Sequence, residues 1–301
     1  RSPRISAKES VKVKDREKSK LDWDDRLTIE INGDAPVCES IRVEAADPAT
    51  PTIFLCGNST VVDQENEPWA SWGQMLPRFL TDKISVANHA ESGLSANTFI
   101  SGNRLKKIMS QIKKGDYVFV EFGHNDQKQK GPGKGAYYSF MTSLKTFIDQ
   151  IQEKGGQPVL VTPTRRRRFD KEGRTVNTHG EYPDAVRWIA AKENVPLIEL
   201  NNMTGTLYEA LGESGSKKAF VHYPMGSFPG QKKELADNTH FNPYGAYQIA
   251  KCVIEGMKKA TPELTKYLKT DTSYDPAKPD NVDSFHWCPA PFCEMEKPDG
   301  N

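Results

Sequence analysis

The sequence lacks the features that mark several large classes of protein. No apolar run approaches the roughly 18 residues needed to cross a bilayer, so an integral membrane protein is not expected. Charge of one sign is not in excess, since Lys+Arg number 41 and Asp+Glu 40, and this balance does not indicate a nucleic-acid binder. Glycine and proline, at 22 and 20 residues, are too ordinary for a collagen-like or wholly disordered chain. We therefore expect a soluble globular protein.

Cysteine is also scarce. The five cysteines include no C-x-x-C pattern, so they predict neither a disulfide scaffold nor a metal site. Cys288 and Cys293 are the one close pair, and the sequence leaves open whether they form a disulfide. The chain opens without a signal-peptide pattern, so its location has to be inferred from its substrate.

Three regions differ in composition. Residues 1–50 begin with a basic stretch without periodicity, expected to be a flexible arm or linker. Residues 27–31 and 40–45 then alternate apolar and polar side chains, which predicts two strands that either pack on the main body or are the remnant of an upstream β-domain. Residues 51–269 form the predicted catalytic domain. The Pro-rich residues 270–301 are predicted to be an extended tail packed on it.

Residues 51–269 alternate β-rich runs with amphipathic helices. Strands are predicted at 52–56, 84–88, 117–122, 158–162 and 196–200, and helices at 69–80, 98–112, 137–153, 182–193 and from Pro243 onward. Near-continuous apolar runs suit strands buried on both faces of a parallel sheet. The fold class is therefore α/β: a three-layer, doubly wound sheet of about five parallel strands. Ligands of such sheets bind at the carboxyl ends of the strands.

Polar residues suited to acyl transfer stand at these strand ends. Ser59 follows the first strand, and Asp237 and His240 lie three positions apart in a predicted loop before the last helix. A serine nucleophile needs an imidazole base, and the imidazole needs a carboxylate to fix its tautomer. The developing oxyanion needs donors, which Ser59 N–H, a turn at Gly93 and the Asn125 amide can supply.

Together these residues resemble the four sequence blocks of the SGNH (GDSL-type) hydrolases, in the order and spacing of that family. The blocks are Gly57-Asn58-Ser59-Thr60, Gly93, Gly123-His124-Asn125-Asp126 and Asp237-x-x-His240. The resemblance covers roughly residues 51–260. Three segments most resemble rhamnogalacturonan acetylesterases: the Ser-Thr-Val sequence that begins at Ser59, residues 120–126, and Asp237-x-Thr239-His240.

The resemblance implies a metal-independent serine esterase on a flavodoxin-like sheet, with no cofactor. Ser59 would be the nucleophile, His240 the general base and acid, and Asp237 the orienting carboxylate. Ser59, Gly93 and Asn125 would form the oxyanion hole. The implied reaction removes O-acetyl groups from an acidic pectic polysaccharide, rhamnogalacturonan, through an acetyl-enzyme. Such a substrate implies a secreted or periplasmic protein.

One position departs from the family pattern. Asn58 stands where the family usually has Asp. An asparagine keeps an acceptor oxygen and gains two donors, but it loses the charge. Any role that requires a carboxylate there is therefore in doubt.

Four consecutive arginines follow the fourth predicted strand, at 165–168. The fork geometry of guanidinium suits the carboxylates of galacturonate, so Arg165 and Arg166 are predicted substrate contacts. His124 is a further candidate, either for substrate contact or for orienting its loop.

Other functions stay open. The esterase could act on another acetylated polysaccharide such as xylan, or the scaffold could be an inactive sugar-binding module, for which Asn58 is the one favourable feature. A metal-dependent phosphoesterase is the third alternative, but it needs several carboxylates at the first two strand ends, where this chain has Asn58, Ser59 and Gly93. No nucleic-acid or membrane partner is predicted, and the oligomeric state is open.

Overall fold

A parallel sheet forms the centre of the molecule, as the sequence predicts. The computed structural model describes residues 11–18, 20, 27–270 and 273–288. Five strands pair in parallel, in the order β2-β1-β3-β4-β5. They are β1 (Thr52–Cys56), β2 (Ser85–Asn88), β3 (Tyr117–Glu121), β4 (Gln157–Val161) and β5 (Leu197–Ile198).

The strand order creates a crevice at one end of the sheet. β1 lies between β2 and β3, so the chain leaves β1 on one side and returns on the other. The connections therefore run in opposite directions from β1, which is the topological switch point where ligands of such sheets bind. The turns after β1, β2 and β3 all meet at this end.

Helices cover both faces of the sheet. They are α1 (Trp72–Met75), α2 (Ala96–Ser101), α3 (Arg104–Met109), α4 (Met141–Glu153), α5 (Tyr182–Lys192), α6 (Leu200–Gly215) and α7 (Pro243–Ala260). Side chains that alternate along the strands point to two separate apolar layers: Ile53, Leu55 and Phe119 pack with α1, α6 and α7, and Phe54, Val118 and Val120 with α2 to α5. The predicted three-layer architecture is confirmed.

Several predicted helices differ in extent. The helix predicted at 98–112 is split into α2 and α3, because Asn103 takes a left-handed φ of 60° between them. The helix predicted at 69–80 is the single turn α1, followed by a 3-10 helix over Leu76–Phe79. The start of α7 is as predicted, with Asn242 Oδ1 accepting from Gly245 N at 3.0 Å. Among the described residues, no helix has both the length and the apolar character that a bilayer crossing requires.

A second, antiparallel sheet was not predicted. It pairs β6 (Phe220–Tyr223) with β7 (Leu235–Phe241). Asp237 and His240 therefore lie on a strand, and the prediction that they lie in a loop is wrong. β7 is tied to the main body where Ala70 N donates to Phe241 O at 2.8 Å and Arg167 N to Asn238 O at 2.8 Å.

The terminal segments depart from their predictions in different ways. The two strands predicted at 27–31 and 40–45 are not formed in the described stretch 27–50, and Leu27, Ile29 and Val43 are exposed. Alternation alone was misleading there, because strands need a partner edge to satisfy their backbone groups. The tail residues 273–288 pack on α7, where the Phe285 ring contacts Tyr244. Cys293 lies outside the described residues, so its pairing with Cys288, like the proposed domain boundaries, stays a prediction.

Candidate active site

Ser59 lies in a tight turn directly after β1. Gly57 permits this turn, because a Cβ atom there would lie 2.5 Å from Val61 Cγ2. The carbonyl of Asn58 accepts from the N–H groups of Val61 and Val62, each at 3.0 Å, which closes the turn. The Ser59 side chain is thereby held at the switch point, and the residue is only 4% exposed.

Ser59, His240 and Asp237 form one continuous hydrogen-bond chain. Ser59 Oγ lies 2.8 Å from His240 Nε2, and His240 Nδ1 lies 2.8 Å from Asp237 Oδ2. Because a neutral imidazole has one N–H, a proton on Nδ1 that is donated to the carboxylate leaves Nε2 free to accept the Ser59 hydroxyl. This is the arrangement that a serine nucleophile with an imidazole base requires.

Asp237 is fixed by the backbone of its own strand. Its Oδ1 accepts from Thr239 N at 2.8 Å and from His240 N at 3.1 Å. Burial alone would raise the pKa of Asp237, but hydrogen bonds from His240 and Thr239 and the proximity of His240 hold it well below its usual range. The carboxylate therefore stays ionised and oriented toward the imidazole.

Potential donors for an oxyanion come from three turns. Gly93 sits at a φ of 77°, in the left-handed region that favours glycine, in the turn after β2. This turn is tied to the Ser59 turn, because Glu91 N donates to Gly57 O at 3.2 Å. Among the described residues, no acceptor takes the backbone N–H of Ser59 or Gly93. Both groups are therefore available to a ligand.

Asn125 is held in place from both ends of its amide. Its Nδ2 donates to Leu94 O at 3.0 Å, and Lys128 Nζ donates to its Oδ1 at 3.3 Å. Since an amide nitrogen carries two hydrogens, the second is available to a ligand. The loop that carries Asn125 is anchored by Asp126, which accepts from Ala96 N at 2.8 Å and Gly123 N at 3.0 Å.

A buried polar network lies under the Ser59 turn, and sequence reasoning missed its central residue, Glu121. Its carboxyl accepts from Trp72 Nε1 at 2.5 Å and from Thr164 N at 3.1 Å, and lies 3.1 Å from Thr60 Oγ1. Burial raises the pKa of Glu121 to about 7, against the lowering effect of these hydrogen bonds. The available signal was a charged residue ending an otherwise apolar buried strand.

Asn58 belongs to the same network. Its Oδ1 accepts from Thr60 N at 3.1 Å and from Thr60 Oγ1 at 3.0 Å, while its buried Nδ2 has no hydrogen-bond partner among the described residues. Thr60 thus links Asn58 to Glu121. A neutral residue at position 58 avoids a second buried carboxylate beside Glu121.

His124 is buried behind the site. Its ring packs edge-on against His179 at 4.4 Å, and neither ring nitrogen has a hydrogen-bond partner in the described part of the chain. Burial lowers the pKa of His124 well below its ordinary value, and the nearby His179, Arg166 and His240 add to this effect. The ring is therefore neutral, and its contact with substrate or its orientation of the loop stays a prediction.

The adjacent arginines have separate environments. Arg165 donates to Thr175 Oγ1 at 2.6 Å and to Asn201 Oδ1 at 3.4 Å, and its contact with substrate stays a prediction. Arg166 Nη2 donates to His124 O at 3.3 Å. Burial lowers the pKa of Arg166, and no carboxylate of the described residues offsets this effect.

Arg167, which sequence reasoning did not separate from its neighbours, supports β7. Its Nη1 donates to Asn238 Oδ1 at 3.0 Å and its Nε to Ser216 Oγ at 3.0 Å. Asn238 lies between Asp237 and His240 on the same strand, β7. This arginine therefore supports the segment that carries both residues.

The described residues include one group of three potential metal ligands, formed by Asp34, His286 and Cys288. It shares no residue with the Ser59, His240 and Asp237 chain.

Comparison with known proteins agrees with this geometry. Rhamnogalacturonan acetylesterase RhgT of Bacillus subtilis (strain 168) is 42% identical over 218 residues, covering 72% of this chain and 93% of that protein. The crystal structure of protein YxiM from the same species superposes with a TM-score of 0.61 at 27% identity, covering 70% of this chain and 57% of that one. This match therefore spans little more than half of YxiM.

A more distant structure shows the fold alone. Axe2, an acetylxylan esterase from Geobacillus stearothermophilus, has a TM-score of 0.50 at 13% identity, covering 69% of this chain and 94% of that one. The model of the GDSL-like Lipase/Acylhydrolase family matches residues 55–247, which include every residue of the hydrogen-bond chain around Ser59. The chain therefore belongs to the GDSL-like lipase/acylhydrolase family.

Proposed function

We propose that this ester hydrolase is a carbohydrate acetylesterase that removes O-acetyl groups from rhamnogalacturonan through an acetyl-enzyme. The observation that carries the proposal is the chain of two 2.8 Å contacts from Ser59 Oγ through His240 to Asp237. The relative RhgT, a rhamnogalacturonan acetylesterase, supports the substrate class. A polymeric substrate of this kind suits a secreted or periplasmic enzyme.

The reaction follows from the positions of the side chains. Ser59 Oγ attacks the acetyl carbonyl while His240 Nε2 takes its proton, and Asp237 stabilises the imidazolium that forms. The negative charge on the carbonyl oxygen is met by the N–H groups of Ser59 and Gly93 and by the Asn125 amide. As the bond between the acetyl carbon and the sugar oxygen breaks, His240 protonates that oxygen, the sugar leaves with a free hydroxyl, and acetyl-Ser59 remains.

Deacylation repeats these steps with water. His240 removes a proton from a water molecule that attacks the acetyl carbonyl of acetyl-Ser59, and the same donors stabilise the second tetrahedral intermediate. Collapse releases acetate and returns the proton to Ser59 Oγ.

Arg166 is the proposed contact for the acidic sugar. The residue is half-buried, its guanidinium lacks a carboxylate partner among the described residues, and it lies beside the loop that carries Asn125. A galacturonate carboxylate would supply the missing charge. Arg166→Met should therefore raise KM for acetylated rhamnogalacturonan while leaving KM for acetylated xylan and a small aryl acetate unchanged.

Acetate release tests the proposal. The purified protein is assayed on acetylated rhamnogalacturonan, acetylated xylan and an aryl acetate, with Ser59→Ala and His240→Ala as variants. Each variant should lose at least about a thousandfold in kcat while remaining folded. Unchanged activity in either folded variant would refute the assigned roles.

The alternatives give different results in the same assay. Faster release from xylan would keep the chemistry and change the substrate. Binding without release from any of the three compounds would support a sugar-binding module, and loss of activity in a chelator would support metal-dependent hydrolysis.

A further inference from the structure

The described part of the basic N-terminal stretch, where a flexible arm or linker was expected, is docked beside the site. Residues 11–18 and 20, here called the strap, lie outside the family match at 55–247. Lys12 N donates to Gly102 O at 3.0 Å, and Arg104 Nη2 donates to Glu17 Oε2 at 2.5 Å. Glu17 is fully buried in this contact. Fixed contacts of this kind anchor the strap on α2 and α3.

From this anchor the strap reaches the turn after β2. Lys20 Nζ lies 3.0 Å from Glu91 Oε2, and the two side chains are 7% and 0% exposed. The other oxygen of Glu91 accepts from Ser92 N at 3.0 Å. The strap therefore supplies the cation for a buried carboxylate that shapes the turn containing Gly93. Without this cation the carboxylate would be buried and unpaired, a state that strongly disfavours the folded turn.

A second cation of the strap contacts the backbone of the turn directly. Lys14 Nζ donates to the carbonyl oxygen of Ser92. That carbonyl belongs to the same peptide unit as the N–H of Gly93. Because a trans peptide is planar, its C=O and N–H point in opposite directions, so a cation fixed on the oxygen sets the direction of the N–H. It also polarises the amide and makes the N–H a stronger donor.

We propose that Lys14 is a positioning residue of the esterase: through the Ser92–Gly93 peptide it aims and strengthens one oxyanion donor. The proposal rests on the proposed function, in which Gly93 N–H meets the oxyanion. Its effect belongs to the transition state, because the charge that Gly93 meets develops only there. Substrate binding in the ground state should be unaffected.

The test compares Lys14→Met with two controls. Lys14→Arg retains a cationic donor, and Lys18→Met removes a strap lysine whose side chain is 68% exposed and pairs with Asp15. For each variant, kcat and KM are measured on an aryl acetate. The inhibition constant of phenylboronic acid, which forms a tetrahedral adduct with a serine oxygen, is measured in parallel.

Lys14→Met should lower kcat by about tenfold at unchanged KM, a smaller loss than the ~10²–10³-fold caused by removing one oxyanion donor. Inhibition by phenylboronic acid should weaken by the same factor. Lys14→Arg should recover most of the activity, and Lys18→Met should match the parent protein.

Two results would overturn the proposal: unchanged kcat and boronate affinity in folded Lys14→Met, or a loss of thermal stability with no parallel change in boronate affinity. If Lys14→Met does not fold, Lys14→Gln keeps an N–H donor without the charge and carries the same comparison. Ser59→Ala distinguishes failure of the proposed function from failure of the proposed role of Lys14. If activity survives Ser59→Ala, the proposed function is wrong. If activity is lost in Ser59→Ala but unchanged in Lys14→Met, only the proposed role of Lys14 is wrong.

Discussion

The buried carboxyl of Glu121 provides a quantitative test of the electrostatics under the active site. It ends β3, is fully buried, and faces the N–H groups of Trp72 and Thr164 and the hydroxyl of Thr60. In its protonated form it can donate to Thr60 Oγ1, which then donates to Asn58 Oδ1. Glu121→Gln removes the titration while keeping the shape of the side chain.

The sign of the pH dependence follows from the raised pKa. Burial raises the pKa of Glu121 from an ordinary 4.5 to about 7. Below the ordinary value both folded and unfolded chains hold the proton, and the contribution to stability is complete. Between the two values only the folded chain holds it, so the free energy of unfolding falls as pH rises. At about 1.4 kcal/mol per pH unit, the loss amounts to about 3 kcal/mol.

The assay is urea unfolding of the parent protein and Glu121→Gln at about pH 4 and about pH 8. The variant carries a fixed cost from its altered hydrogen bonds, so the informative quantity is the change in the variant-minus-parent difference with pH. That difference should move in favour of the variant by about 3 kcal/mol across the range. A difference that does not change with pH would refute the raised pKa. One that moves against the variant would show a stabilised carboxylate instead.

Two further substitutions test neighbouring parts of the site. Asn58→Asp loses no described hydrogen bond of Nδ2, but it adds a carboxyl group that is linked through Thr60 to Glu121. The variant should fold and keep equal or modestly altered activity. Urea unfolding should show that it loses stability relative to the parent as pH rises toward 8. A stability difference independent of pH would contradict this. Asp237→Asn should lower kcat by ~10³–10⁴-fold with little change in KM, because the His240 tautomer and cation lose their support; near-parent kcat would contradict it.

Much of the fold and the central site could be predicted from sequence. The five strands of the sheet are buried on both faces, so their apolar runs are continuous and carry a strong signal. Ser59, His240 and Asp237 were identified because the family resemblance links distant positions, which local patterns do not. Their hydrogen-bond chain needs the antiparallel pair β6–β7, and that pairing depends on tertiary contacts such as the one between Arg167 and Asn238.

The remaining features depend on contacts between segments far apart in sequence. The strap has no periodicity, and it docks through single ion pairs such as Lys20 with Glu91 that no local pattern encodes. Residues 27–31 show the opposite case: alternation predicted a strand, but exposed side chains such as Ile29 have no partner edge in the described structure. Arg165 and Arg166 are adjacent, yet Arg165 donates to Thr175 Oγ1 and Arg166 to the carbonyl oxygen of His124, a difference that no local pattern encodes.

Covalent labelling of Ser59 tests the central claim most directly. The protein is treated with an aryl organophosphate, which phosphorylates a serine activated by a neighbouring imidazole, and the modified peptide is located by mass spectrometry. The account predicts stoichiometric labelling at Ser59 with parallel loss of acetate release, slow labelling in His240→Ala, and none at this position in Ser59→Ala. Full inactivation with the label on another residue, or acetate release that persists after Ser59 is fully labelled, would contradict it.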